Sequence, residues 1–296
     1  MKSVFFIAIV VLACAPNSLP SKKKFLLARY DQQSETISVF RNGNELLLTQ
    51  HVQPTVRPYT HPIVAPDGNG VLTEFSPSHH KHQTGLYWGL KQVNGRDYFM
   101  NWKEDYWRRV DVRVISERGK SVKWQTTYDL LDESGNAILT ETQAWSMQEI
   151  DGKYLLDLEW RGEAKKDVTM GKFYVGGLFL RMPWHQGLDG KAINSEGKIN
   201  NEAEQQRAKW LDLGLPIEGR KDNAHIAILE HPGNTGFPNA WRVDNELGVG
   251  PSRQILGDWS IQEGKSEVIR YRLIIYTGNF DNDVITRLWK EFSSAK

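Results

Sequence analysis

The sequence predicts a mainly β protein: an antiparallel β-sandwich with a C-terminal amphipathic helix. Three observations predict it. Apolar and polar residues alternate along much of the chain, the period of strands with one face on a core. Turn-forming clusters at Glu117–Lys120, Asp132–Asn136 and Asp151–Lys153 divide the middle of the chain at roughly the interval of antiparallel sandwich strands. Helical spacing is sustained near the end, where Val284, Ile285, Leu288, Trp289 and Phe292 recur on one face.

The first strands are Phe25–Tyr30 and Thr36–Arg41. Asn42-Gly43 follows, then Glu45–Thr49. Asn and Gly accept the positive φ of a tight hairpin turn, so this is a hairpin. Thr84–Leu90 enters a strand. Val110–Ile115, Val122–Leu130, Ile138–Met147 and Tyr154–Trp160 continue the series. In the last of these, Leu156, Leu158 and Trp160 share one face and Asp157 and Glu159 the other, as expected of a sheet with one wet side. Gly176–Met182, Ala224–Leu229, Trp241–Val243 and Val268–Tyr276 are further strands. A short helix is expected over Glu202–Leu211, and Asp281 or Asn282 is placed to cap the final helix.

The chain has 296 residues and a net charge of +1. That length suits one sandwich domain, expected over residues 22–296. The charge, which falls to zero without Lys2, excludes an electrostatic nucleic-acid binder. Met1-Lys2 followed by the apolar run Val4–Ala13 reads as a signal peptide of residues 1–21. The run ends in Val11-Leu12-Ala13-Cys14, which resembles a bacterial lipoprotein signal with Cys14 as the lipidated residue; ordinary cleavage between Ala15 and Ser21 is the alternative. Cys14 is the sole cysteine, so the fold has no disulfide to rest on. The expected location is the periplasm, or the outer membrane through the lipid anchor, with no other membrane attachment.

One stretch concentrates the chemistry. Arg57–Leu90 carries four of the eight histidines, His61, His79, His80 and His82. Prolines and glycines interrupt it, so much of it is loop. Arg57-Pro58-Tyr59-Thr60-His61-Pro62, His79-His80-Lys81-His82 and Gly85-Leu86-Tyr87-Trp88 occur in order. Ala208–Asp212 and His225–Asn234 follow, then Pro238 and Trp241. These motifs resemble an exported bacterial family labelled "methane oxygenase PmoA", a domain of unknown function, across nearly the whole mature chain. The enzyme that label invokes is a copper protein built of membrane helices. The mature sequence offers no stretch long and apolar enough to span a bilayer, so the label misleads about activity. The resemblance instead implies carbohydrate catabolism, because similar proteins occur beside sugar oxidoreductases and glycoside-degrading enzymes. The strand-rich pattern is also similar to the galactose-mutarotase-like sandwich of epimerases and polysaccharide lyases.

Imidazole titrates near neutrality, which suits proton transfer on a sugar. His61, His80 and His82 are therefore candidate acid–base residues, with Glu230 as partner. Arg57, Tyr59, Tyr87, Trp88, Arg181 and His231 are candidate substrate contacts: the arginines for charge and geometry, the aromatic rings for stacking on a sugar. His185 and Asp105–Trp107 are secondary candidates. A divalent metal on His61, His80 and His82, completed by Asp67, Glu74 or His231, is the competing use of the same residues. The expected function is action on a glycoside or sugar derivative by elimination, hydrolysis or epimerisation. The alternative is a carbohydrate-binding lipoprotein without catalysis. Cys14→Ser is expected to move the protein from the membrane fraction to the soluble one and to abolish incorporation of a labelled fatty acid; unchanged fractionation and labelling would remove the lipid anchor.

Overall fold

The structure, a computed structural model, describes residues 24–294. The expected signal peptide and Cys14 lie outside the described residues. The chain opens with β1 (Leu26–Asp31), β2 (Thr36–Arg41), β3 (Glu45–His51), β4 (Tyr59–Ile63) and β5 (Leu86–Gly89). Asn42 and Gly43 have φ of 51° and 85°, so the β2–β3 turn is of the expected kind. Long strands follow: β6 (Trp107–Ser116), the two-residue β7 (Arg118–Gly119), β8 (Ser121–Leu131), β9 (Ala137–Ile150) and β10 (Lys153–Ala164). Next come β11 (Val168–Met170), β12 (Gly177–Leu180), β13 (Lys191–Asn194), β14 (Trp210–Pro216) and β15 (Asn223–Glu230). The last strands are β16 (Ala240–Val243), β17 (Val249–Ser252), β18 (Trp259–Ile261) and β19 (Ser266–Thr277), before the helix α1 (Asn282–Ser293).

Two antiparallel sheets form the sandwich. One has the order β16-β17-β12-β5-β4-β3-β2-β1-β7, the other β13-β14-β15-β19-β10-β9-β8-β6, and β11 pairs with β18 separately. A single apolar cluster fills the space between them. Trp88 of β5 stacks on Trp160 of β10 with ring centroids 4.5 Å apart. Trp124 of β8 donates its indole N–H to Gln50 of β3 across 2.7 Å. Burying rings of this size is a main favourable term, and the indole nitrogens need partners when water is excluded.

The alternation in β10 holds. Leu156, Leu158 and Trp160 join the inter-sheet core, while Asp157 and Glu159 pair with Arg272 and Arg270 on the other side. That other side is apolar where α1 lies: Ile285, Leu288 and Phe292 pack on Leu155, Trp210, Leu229 and Ile274. Asp281 caps α1, accepting from the backbone N–H of Asp283 and Val284.

One element differs from expectation. Residues 202–211 hold no α-helix; a 3₁₀ turn at Asn200–Glu202 gives way to turns and then to β14. The backbone there bonds outward: Gln205 N–H to Trp241 O at 2.7 Å, and Trp241 N–H to Gln206 O at 3.0 Å. Pairing with the edge beside β16 replaces the local helical bonds, a tertiary override of propensity. The strands β4, β13, β14 and β17 were also not separable from loop by pattern, being short or buried on both faces.

Glu141 is buried between Trp160, whose indole N–H it accepts at 3.0 Å, and Gln143 at 2.9 Å. Burial pushes its carboxyl up to about 7, against the opposing pull of these hydrogen bonds. A carboxyl raised in the folded state contributes stability that is complete below the unfolded value of 4.5 and lost as pH climbs through about 7. The urea midpoint is expected to fall across that window, and Glu141→Gln to reduce the fall. An unchanged pH slope in the variant would show that Glu141 does not drive it.

Candidate functional site

Strands β5 and β12 are buried on both faces. Leu86 and Trp88, with Leu178 and Leu180, point into the sandwich. Tyr87 and Phe179 point the opposite way, into a second apolar layer with Tyr59, Phe99 and Val175. Loops cover this layer, and a cavity of about 140 Å³ lies among them. Its polar walls are His80, His82, Gln83, Lys91, Arg242 and Asp244, and its apolar ones Phe99, Met100, Tyr174, Val175 and Phe179.

Two buried arginines position these walls. Arg57 has no exposed surface. Its guanidinium lies over the Tyr87 ring, 3.7 Å from the centroid. It donates to Phe99 O at 2.5 Å, His82 O at 3.1 Å and Thr84 Oγ1 at 3.2 Å. Burial lowers its pKa to about 10, so it stays charged at neutral pH. Gly89 leaves room beside it, since a Cβ there would crowd Arg57 Nη1 and the Phe99 backbone, each 3.0 Å away. Arg181, equally buried, follows β12. It donates to Gln83 Oε1 at 2.5 Å, to Asp244 Oδ2 at 3.1 Å and to the Glu246 carbonyl. Both arginines therefore sit behind the cavity and hold its loops.

His82 is the distinctive group in the cavity. Its ring contacts those of His80 and Phe99, with centroids 5.7 and 5.9 Å away. Neither of its ring nitrogens is hydrogen-bonded among the described residues. Burial lowers its pKa to about 4, with the charges of Arg57, His80 and Lys91 acting in the same direction. It is a neutral imidazole at physiological pH, able to accept a proton. Lys91 pairs with Asp97 at 2.5 Å, and Arg242 with Glu204 at 2.5 Å. Both Asp244 oxygens are taken, one by Arg181 and one by the N–H groups of Glu246 and Gly248.

The other candidate residues are dispersed. His79 and His80 converge on Glu246, at 2.9 and 2.7 Å. Residues 76–83 form a turn, in which His79 stands beside His80. His61 is held elsewhere by Thr73 Oγ1 at 3.1 Å and lies near Phe75. The structure does not gather His61, His80 and His82 as one ligand set; among the described residues the gathered set is His79, His80 and Glu246. Tyr59 is buried against His51, with centroids 4.5 Å apart. Trp88 belongs to the inter-sheet core.

Glu230 is buried on the other sheet, accepting from Asn239 N–H at 2.7 Å and from the Asn239 side-chain amide. Burial raises its carboxyl to about 7. His231 packs edge-on against Phe292 of α1, and Asp67 pairs with Arg220. Glu74 receives no ligand partner from the histidines. His185 is exposed and bonds Gln186 O at 3.1 Å, while Trp107 is core and Tyr106 stacks beneath Arg96. The cavity residues Gln83, Lys91, Phe99, Arg242 and Asp244, and Glu246 beside His79 and His80, carry no motif in the sequence. Only the loop placement of Gln83, next to the histidines, hinted at one of them.

Residues 37–290 match the model of a family of unknown function, DUF6807. That description agrees with the expected domain of unknown function and does not carry the PmoA label. No curated protein matches the chain. Among solved structures the chain is similar to the GH36 α-galactosidase AgaB of Geobacillus stearothermophilus, at 9% identity and a TM-score of 0.45. That alignment covers 85% of this chain and 41% of the α-galactosidase. The chain is also similar to the galactose 1-epimerase of Lactobacillus acidophilus NCFM, at 8% identity and a TM-score of 0.41, covering 88% of this chain and 100% of that one.

Truncating Arg57 would strand the carbonyls of His82 and Phe99 and open a void over Tyr87. Arg57→Ala is expected to cost about 3 kcal/mol or more of folding stability in urea titration. A loss below about 1 kcal/mol would show that the guanidinium does not hold the loops.

Proposed function

Because the chain belongs to that family of unknown function, DUF6807, we propose a function from the cavity itself: it binds a single sugar ring bearing a carbonyl or carboxylate, and His82 removes a proton from the carbon beside that group. The observation that carries this reading is the neutral, unbonded imidazole of His82 in a cavity that also presents Lys91 and Arg242. A general base needs a free lone pair and a pKa below the working pH. The electron pair left on carbon moves to the substrate oxygen, where a nearby cation offsets the developing charge. Returning the proton to the opposite face gives an epimer, and expelling a neighbouring leaving group gives elimination.

Size and lining support a sugar. The cavity, about 140 Å³, is well below the roughly 300 Å³ at which drug-sized sites begin. Phe99, Phe179 and Tyr174 offer ring faces, and Gln83 and Asp244 offer polar edges, the mixture a ring with apolar C–H faces and a hydroxyl rim requires. Glycoside hydrolysis is disfavoured, because it uses two carboxyl groups flanking one bond. The cavity presents one carboxylate, Asp244, and Arg181 pins it. The protein would act in the cell envelope after export through residues 1–21, anchored by Cys14.

The test is proton exchange. A panel of uronates and keto-sugars is incubated with the mature protein in D₂O and followed by NMR. Deuterium is expected at the carbon next to the carbonyl or carboxylate of the true substrate. The rate should decline only as pH drops through about 4, where His82 becomes protonated. His82→Gln is expected to lower the rate by about 10²–10⁴ with little change in binding. Exchange that survives this variant would overturn the assignment, and binding without exchange would favour a non-catalytic carbohydrate-binding protein.

A further inference from the structure

At the rim of the cavity, three potential ligand atoms form a small triangle. His79 Nδ1 and His80 Nδ1 are 2.9 Å apart. Each also lies close to Glu246 Oε2, at 2.9 and 2.7 Å. A metal ion about 2.0–2.1 Å from each ligand would hold adjacent ligands about 2.8–3.0 Å apart at right angles, or about 3.3–3.4 Å apart at the tetrahedral angle. Two of the observed edges match the right-angle spacing and the third, at 2.7 Å, is slightly shorter, so all three lie far from the tetrahedral one. We propose that His79, His80 and Glu246 bind one divalent first-row transition-metal ion as three ligands on one face of an octahedron.

Two further features support a built site. Glu246 Oε2 is shielded from solvent yet accepts no hydrogen bond of proper geometry, despite two ring nitrogens within 2.9 Å. One proton shared between the two Nδ1 atoms leaves the carboxylate oxygen facing lone pairs, whereas a cation satisfies all three together. The ligands are also held in place. Ser76 N–H bonds Gln83 O at 2.7 Å and Ser76 Oγ bonds Lys81 O at 2.9 Å, closing the turn that carries both histidines. Glu246 is fixed by Asp244 Oδ1 at its N–H and by Arg181 at its carbonyl. The Arg181 charge is itself matched by Asp244. Supports of this kind orient ligands and raise affinity.

Two imidazoles and one carboxylate suit manganese, iron, cobalt or nickel with open positions. The three positions opposite the protein ligands would face outward, since all three side chains are partly exposed. His80 also lines the cavity. On the sugar reading above, the ion chelates two adjacent substrate oxygens and positions the ring for His82, acting as a template and Lewis acid.

The test uses the mature, tag-free protein stripped with chelator, without any sugar. Mn²⁺, Co²⁺, Ni²⁺ and Zn²⁺ are titrated calorimetrically, with metal content measured after dialysis. One equivalent is expected, with the weak visible bands of six-coordinate Co²⁺. His79→Ala and Glu246→Gln are each expected to weaken binding by at least about tenfold, while the exposed control His185→Ala leaves it unchanged. Glu246→Gln keeps the backbone contacts and size of the residue, so it reports even if His79→Ala fails to fold. No saturable site for any of the four ions would overturn the proposal, as would unaltered affinity in Glu246→Gln. Because no substrate is present, this result is independent of the exchange experiment with sugars.

Discussion

The stacking of Trp88 on Trp160 fixes where the two sheets meet, and the position of the site follows from it. Once Trp88 points into the sandwich, the pleat turns Tyr87 to the far side of the nine-stranded sheet. A side chain of that size cannot stand bare in water without cost, so the loops before and after β5 fold over it. Phe99 and Phe179 complete the layer. The cavity is what remains between that aromatic floor and the loops.

The loops are held by charge buried beneath them. A guanidinium without access to water is costly unless most of its N–H groups find acceptors. For the two terminal nitrogens of Arg57 these are loop carbonyls and Thr84, with the Tyr87 ring below. For Arg181 they are Gln83, Asp244 and Glu246. Each arginine thus joins separate stretches of chain at one point. The Arg57 charge also depresses the His82 pKa, after burial itself. Structural support and the tuning of the proposed base therefore share a cause.

The histidines divide into distinct environments although they lie close in sequence. His61 is bonded to Thr73, beside His51 and Phe75. His82 stands unbonded at the cavity, and His79 and His80 face a carboxylate more than 160 residues away in the chain. The proposed base and the proposed ligand pair, within one turn, differ by their surroundings, since burial shifts one and Glu246 lies against the others.

The sequence by itself determined the class of fold. Period-2 alternation, the Asn42-Gly43 turn and the 3.6-residue spacing of Val284–Phe292 are local signals, and each became the element expected. It also singled out Arg57–Leu90, where titratable residues on interrupted backbone are concentrated and from which His80, His82 and Gln83 line the cavity. Tertiary structure alone decided which of them stand together. The face on which Tyr87 and Trp88 point depends on sheet packing, and whether an arginine meets substrate or backbone depends on burial. Asp244, Arg242 and Glu246 reach the site through the pairing of β12 with β17 and β17 with β16. The β16–β17 hairpin is local, but its pairing with β12 joins segments distant in sequence, and no local pattern encodes that.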